Sequence, residues 1–318
     1  MFPAQPTAIA SSDSRPQRAC SSLSGRAPFH KSFSVGGLTL KLLGDSPEDV
    51  DGGSELRNFE CEAIGADIEL NIRWTEELSG SRGDRAFDSG ATWRLFPSGN
   101  ELVFEFISPV LGTRPYRQLR VNREFRCAEL LLSNALRGYQ QASPVEYPVC
   151  ELLVTNYLAQ RGLGVEVHGC GVIDREGEGF LFLGHSGAGK STMARVWDTF
   201  RGDAEILSDD RLILRLHDGE LRMHGTPWHG EAAFAAPGNA KLKNIFVLQH
   251  GAGNSFSQLK SVQAVGEIFA RCFPPFHSAQ GLERTVEFLK QIVDLVPCYE
   301  FQFLPDQSAI ASVLAFHE

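Results

Sequence analysis

The stretch EGFLFLGHSGAGKSTMARVW, residues 178–197, places an apolar run, a glycine-rich loop and a helix-like pattern in immediate succession. Residues 184–191 match G-x-x-x-x-G-K-S/T, the pattern of a loop that wraps phosphate. Met193, Val196 and Trp197 follow at helical spacing. The stretch therefore predicts a strand, a phosphate-binding loop and a helix.

The loop has the residue types that phosphate binding requires. Glycine lets the backbone turn tightly, so that successive N–H groups and the helix N-terminus face an anion. Lys190 can reach the β- and γ-phosphates, the Ser191 hydroxyl can ligate Mg²⁺, and Thr192 can assist at a phosphate oxygen. The predicted nucleotide-binding residues are Gly184, His185, Ser186, Gly187, Ala188, Gly189, Lys190, Ser191 and Thr192.

An acidic pair follows the loop by about 20 residues. Asp209 and Asp210 come directly after the apolar pair Ile206 and Leu207, which is where a strand would end. One carboxylate can hold Mg²⁺ and the other can accept a proton from an attacking hydroxyl. The alternative is a solvated acidic turn.

Two further polar groups are candidates for the same site. His168, in VEVHGCG before the loop strand, either sits in a hairpin or exchanges protons with the acid. In MHGTPWHGE, residues 223–231, His229 and Glu231 either face the substrate or belong to a structural turn. The spacing in that segment is not diagnostic of a metal site.

The composition and the hydrophobic periodicity change along the chain. Residues 1–29 are rich in Ser, Pro, Ala and Arg and read as a disordered extension. Residues 30–145 show period-two alternation, as in DIELNIRW at 67–74, and predict a mainly β recognition domain. Residues 146–318 combine strands with helical patterns and predict the catalytic domain.

Composition excludes several classes of protein. A net charge of -9 argues against nucleic acid and anionic membranes as partners. No apolar run reaches the ~18 residues of a membrane helix. The seven cysteines form no CxxC pair and are odd in number. This pattern indicates reduced thiols and a cytoplasmic protein.

Taken together, HGCGV, GFLFLGHSGAGKSTMARVW and AEILSDDRLIL resemble the C-terminal catalytic domain of the bacterial HPr serine kinase/phosphorylase family over about residues 163–215. The resemblance implies an α/β fold: a P-loop catalytic domain of the HPr kinase/phosphoenolpyruvate carboxykinase-like type. It implies ATP and Mg²⁺, and a closed homo-oligomer. The residue pattern predicts a smaller mainly β (α+β) N-terminal domain beside it, which does not look like the usual N-terminal domain of that family.

By that resemblance, His168 and Asp209 assist proton transfer, Lys190 stabilises the transferred group, and Ser191 and Asp210 serve Mg²⁺. The family's E-x-R-G-L-G segment is replaced here by HGTPWHGE. HPr is therefore not the expected acceptor. The sequence looks closer to divergent relatives, some of which phosphorylate a serine on ribosomally made peptide precursors.

The leading hypothesis is an ATP- and Mg²⁺-dependent serine kinase acting on a protein or peptide. The alternatives are a small-molecule kinase that uses the same residues and a non-catalytic nucleotide-binding module. A GTPase is disfavoured because the sequence contains no N-K-x-D guanine motif.

Overall fold

A computed structural model describes residues 28–81, 83–90, 92–138, 143–145 and 147–316. The disordered extension predicted for residues 1–29 lies outside the described residues, apart from its last two positions. Phe29 already begins the first strand.

The first half of the described chain builds one mixed eight-stranded sheet. Its strands are β1 (Phe29–Val35), β2 (Leu38–Gly44), β3 (Ile68–Thr75), β4 (Phe87–Asp88), β5 (Trp93–Ser98), β6 (Glu101–Ser108), β7 (Gly112–Asn122) and β8 (Cys127–Ser133). They lie in the order β1-β2-β3-β8-β7-β6-β5-β4. The apolar face predicted for 67–74 is confirmed in β3 for Ile68, Leu70 and Ile72, which are fully buried, but Asn71 of the predicted polar face is buried as well and Trp74 is only partly buried.

A second mixed eight-stranded sheet follows. Its strands are β9 (Gly164–Ile173), β10 (Glu178–Leu183), β11 (Glu205–Ser208), β12 (Arg211–His217), β13 (Glu220–Gly225), β14 (Asn239–His250), β15 (Ser255–Gln258) and β16 (Cys298–Phe303). β10 pairs with both β9 and β14, so the pairing forms a closed circuit through β9, β12, β13, β14 and β10. β16 and β15 continue the sheet beyond β14.

The α-helices are α1 (Gly53–Leu56), α2 (Val149–Arg161), α3 (Lys190–Phe200), α4 (Ser261–Phe269), α5 (Ala279–Leu295) and α6 (Gln307–Ala315). Short 3-10 turns span Pro47–Val50, Arg57–Phe59 and Asn134–Gly138. α2 ends as its sequence predicts, because Gly162 adopts the left-handed conformation with φ 61°. Its apolar side chains join the core of the first sheet, whereas α5 packs on the second sheet. α3 and α6 share a third cluster around Trp197 and Phe246.

The predicted fold class is wrong. The chain is mainly β, with two large mixed sheets and few helices, and is not an α/β domain built around a P-loop. An α/β domain needs crossover helices between parallel strands. In the second half only β10–β14 and β14–β16 run parallel, and the other pairs are antiparallel. The periodicity of each segment indicated strands and helices but carried no information about which strands pair.

The two sheets share a packed junction. Ile213 of β12 and Trp228 belong to the same buried cluster as the first sheet. The β1–β2 turn reaches this junction, where Arg215 Nη1 donates hydrogen bonds to Gly36 O at 3.1 Å and Gly37 O at 2.6 Å. The domain boundary between residues 145 and 146 stays a prediction. Helix α2 lies on the C-terminal side of that boundary, yet it helps to form the core of the first sheet.

The helices and the cysteines bear on two predictions made from the composition. None of the helices in the described ranges is both long and apolar enough to span a bilayer. Cys127 is disulfide-bonded, so the prediction of reduced thiols does not hold for it, whereas Cys61, Cys170, Cys272 and Cys298 are free.

We expect Gly36→Ala to destabilise the protein more than Gly99→Ala. Both glycines have left-handed φ, 59° and 60°, so alanine is strained by about 1–2 kcal/mol at either position. At Gly36 the new methyl would also collide with the Ile213 side chain, whereas Gly99 has nothing within 4 Å. Overpacking should cost a further ~1–3 kcal/mol at the sheet junction. Urea unfolding measures the difference, and equal losses would show that the turn does not pack on β12.

Stability should fall in acid because of His224, which lies at the same junction. Burial, reinforced by the charges of Arg215 and Arg222, lowers its pKa from 6.5 to about 4. The unfolded chain therefore binds more protons between these values, and stability is lost as the pH falls through that window. The contribution is up to about 3 kcal/mol. Unfolding of His224→Gln across the same pH range should show a shallower decline, and an identical decline would contradict the assignment.

Candidate functional site

The strand–loop–helix predicted for residues 178–197 is present locally. β10 ends at Leu183, residues 184–189 form the loop, and α3 starts at Lys190. Gly187 and Gly189 have φ of 82° and 101°, and a Cβ at Gly189 would lie 2.7 Å from the Phe303 ring. Glycine is therefore required at this position for both conformation and space.

Lys190 lies across this glycine loop. Its Nζ donates a hydrogen bond to the carbonyl oxygen of His185 at 3.2 Å, and only 7% of the residue is exposed. Burial lowers the pKa of Lys190, while the Asp210 and Asp209 carboxylates raise it. His185 is exposed, and the charge of Arg271 is the largest cause of its lowered pKa. Lys190 and the nearby Arg271 thus place positive charge beside the exposed residues of the loop, an environment that anionic phosphate favours.

Asp209 is the most deeply buried acid of the site. It is 0% exposed, and it accepts backbone N–H bonds from Gly230 at 3.0 Å, Ala232 at 2.9 Å and Phe234 at 3.3 Å. Ser191 Oγ donates to its Oδ2 at 2.8 Å. The carboxylate therefore ties the first turn of α3 to the segment that follows β13.

Asp210 has different partners. His168 Nε2 lies 2.9 Å from its Oδ1, and Arg211 Nε lies 3.4 Å from its Oδ2. Burial raises the pKa of Asp210, but the hydrogen bond and charge of His168, with Arg211 and Lys190, outweigh it and leave the pKa below its ordinary value. About a quarter of each side chain is exposed, 26% for Asp210 and 22% for His168. This pair can reach a substrate, whereas Asp209 is enclosed.

The two aspartates have exchanged the partners that were expected from the sequence. The sequence analysis coupled His168 with Asp209 for proton transfer and Ser191 with Asp210 for the metal. In the structure His168 contacts Asp210, and Ser191 contacts Asp209. The two aspartates form the bend between β11 and β12, and their separate hydrogen-bond partners hold the two carboxylates apart.

Arg211 organises a charge cluster that the sequence analysis missed. Its Nη1 lies 2.8 Å from Glu151 Oε2 and 3.1 Å from Glu166 Oε1. Burial raises the pKa of Glu151 to about 7, against the lowering effect of Arg211, and also raises that of Glu166. Glu166 could have been suspected, because it alternates with apolar residues in β9 and shares a face with His168. Glu151 gave no such signal, since it lies in a helix.

Loop residues far apart in sequence also reach the site. His250 Nε2 lies 3.0 Å from Gly187 O. The N–H of His168 donates to Arg271 O at 2.7 Å, which fixes the segment before α5 against β9. No motif could have indicated these contacts, because both residues come from segments more than about 60 residues beyond the glycine loop or β9.

His229 and Glu231 occupy the segment held by Asp209, but their side chains are exposed. His229 Nδ1 lies 3.0 Å from the neighbouring Gly230 O. The backbone of this segment binds Asp209. The expectation that these two side chains face a substrate stays a prediction.

The donor set is compatible with Mg²⁺ that is also held by phosphate. Within the described ranges, no group of three or more His, Cys, Asp or Glu side chains has the arrangement of a metal site. Mg²⁺ is ordinarily held by one or two carboxylates together with substrate phosphates and water. The adjacent hydroxyl of Ser191 and carboxylate of Asp209 supply oxygen ligands of this kind.

No protein-family model matches the chain, and no curated protein matches it significantly.

We expect Asp209→Asn to be much more destabilising than Asp210→Asn. Asparagine at 209 would place an NH₂ group, which only donates, next to N–H groups or the Ser191 hydroxyl, which donate as well. Buried donors would then lack an acceptor, at a cost of about 2–4 kcal/mol. Asp210 is partly exposed, so its amide should cost about 1 kcal/mol or less. Urea unfolding of the two adjacent variants is a matched comparison. Equal losses would mean that Asp209 does not hold the 230–234 segment.

Proposed function

We propose that this chain is an ATP- and Mg²⁺-dependent phosphotransferase that phosphorylates a serine hydroxyl of a protein or peptide. The observation that carries the proposal is the convergence of Lys190, Ser191, Asp209 and the Asp210–His168 pair at one end of the glycine loop. The order of these motifs, which resembles HPr serine kinases, adds support. A cytoplasmic location remains part of the proposal.

The glycine loop would bind the polyphosphate. His185, Ser186 and Gly187 are exposed, so their backbone is open to a ligand. Lys190 needs only to exchange its bond to the His185 carbonyl for a phosphate oxygen. Its ammonium would then neutralise charge that develops on the transferred group.

Ser191 and Asp209 would hold Mg²⁺, which when bound neutralises phosphate charge and orients the phosphate oxygens. This reverses the roles assigned to the two aspartates from the sequence. The Asp209 carboxylate already accepts hydrogen bonds from four donors, so Mg²⁺ would have to replace the Ser191 hydroxyl hydrogen at Oδ2, which would leave the Ser191 and Asp209 oxygens side by side as ligands.

The Asp210–His168 pair would take the acceptor's proton. The serine oxygen forms a bond to the γ-phosphorus while the bond from that phosphorus to the bridging oxygen breaks, leaving ADP. The serine proton moves to the Asp210–His168 pair and from there to water. The lowered pKa of Asp210 keeps it ionised at neutral pH, and the contact with His168 orients the carboxylate.

Variants should separate binding from transfer. Lys190→Ala should weaken ATP binding and transfer together, because it removes charge that contacts phosphate. Asp210→Asn should lower transfer by about 10²–10⁴-fold while ATP affinity changes little. Arg195→Ala, an exposed change on the same helix, is the matched control and should behave as wild type.

Calorimetry with ATP and Mg²⁺ measures binding, and transfer of label from γ-labelled ATP to serine-containing peptides measures the reaction. ATP binding without transfer to any peptide would favour a nucleotide-binding module. ADP formation that depends on a metabolite rather than a peptide would favour a small-molecule kinase. Unchanged binding in Lys190→Ala would exclude the proposed role of the loop.

A further inference from the structure

A pocket of about 150 Å³ lies between the two halves of the protein, next to the candidate site. Phe87 and Trp93 come from the first sheet, Glu151 and Asn156 from α2, and Phe273 from the segment before α5. The pocket therefore forms only when the halves are packed together.

Aromatic rings make up much of the wall. Phe87 and Trp93 stack with their centroids 5.3 Å apart, and His277 meets them edge-on at 6.1 and 6.0 Å. Burial lowers the pKa of His277 to about 4, so this ring is neutral at pH 7. Among the described lining residues there is no lysine or arginine. Such walls offer negative ring faces. The Arg211 guanidinium already covers the faces of Phe273 and Tyr147, at 4.2 and 5.2 Å, whereas Phe87 and Trp93 have no such contact with a cation among the described residues.

The polar groups of the lining add hydrogen-bond acceptors. Glu151 is the one acidic residue among the lining residues that the structure describes, and its ion pair with Arg211 leaves Oε2 without a well-aligned hydrogen bond. Asn156 is 2% exposed, and its Oδ1 has no hydrogen-bond donor. Arg211 is shared by three carboxyl groups, those of Glu151, Glu166 and Asp210.

One ring connects the pocket with the candidate site. Phe273 lines the pocket, its ring centroid lies 6.0 Å from that of His168, and the Arg211 guanidinium stands 4.2 Å above it. The pocket and the Asp210–His168 pair therefore share a wall at Phe273.

We propose that this pocket binds a lysine side chain of the acceptor polypeptide and thereby selects serines that have a lysine nearby in the chain. Ring faces and a carboxylate are complementary to an ammonium group on an apolar stem, as in other aromatic sites for cations. The inference deepens the proposed function, on which it rests for the identity of the acceptor. Binding in the pocket can nevertheless be measured without nucleotide.

The test uses blocked peptides. One is acetyl-Gly-Lys-Gly-Ser-Gly-amide, in which the serine is two positions after the lysine, and in its homologues the serine is one or three positions after the lysine. Each has a matched analogue with norleucine and another with phenylalanine in place of lysine. Calorimetry without nucleotide should show one lysine peptide binding about three- to tenfold more tightly than its analogues. Glu151→Gln should abolish that preference.

Phe276→Ala provides a second variant that is expected to fold, because this lining residue is 61% exposed. It should weaken lysine-peptide binding severalfold. Phe200→Ala removes an exposed ring, 45% accessible, at the end of α3 and should leave binding unchanged.

The outcomes are distinct. Norleucine or phenylalanine peptides that bind as tightly as lysine peptides would overturn the proposal and indicate an apolar pocket. No peptide binding, or a lysine preference that survives in both Glu151→Gln and Phe276→Ala, would overturn it as well. A lysine preference that depends on Glu151, without phosphate transfer, would support the pocket and count against the kinase.

Discussion

The site depends on one fully buried carboxylate. A charge at 0% exposure is tolerated only when donors surround it, and Asp209 has the hydroxyl of Ser191 and three backbone N–H groups. These bonds join the start of α3 to the segment after β13, two parts of the chain that are distant in sequence. Asp210, the next residue in the same bend, instead contacts His168. One buried residue thus fixes the position of the helix that begins the site.

Strand β9 supplies the second constraint. It pairs with β10 on one edge, and on the other with β12 near its beginning and β11 near its end. The register places His168 opposite Arg211, the first residue of β12, while β10 leads into the glycine loop from the neighbouring position. The loop, the proton-transfer pair and the Arg211 cluster therefore lie together because they are anchored to adjacent strands.

The two sheets act as one framework around this region. α2 packs in the core of the first sheet, yet its Glu151 reaches Arg211 of the second. The segment before α5 is held to β9 by the bond from the His168 N–H to Arg271 O, and it faces Phe87 and Trp93 across the pocket. In the proposed enzyme, nucleotide chemistry would be carried by the second sheet alone, whereas selection of the acceptor would require both halves. Because the residues that would select the acceptor come from both halves of the chain, no short motif in the sequence could indicate them.

Sequence by itself determined the local elements. Alternation defined β3, glycine marked the end of α2, and the spacing of residues 178–197 gave the strand, loop and helix in the right places, because these features depend on backbone freedom and side-chain direction over a few residues. Only the tertiary structure decided which strands pair, and with it the mainly β fold in place of the expected α/β class. It also decided which aspartate meets Ser191 and which meets His168, and it assembled Glu151, Glu166 and Arg211. Strand partners and buried ion pairs join residues that are far apart along the chain, so their energies are set by long-range packing that no local spacing records.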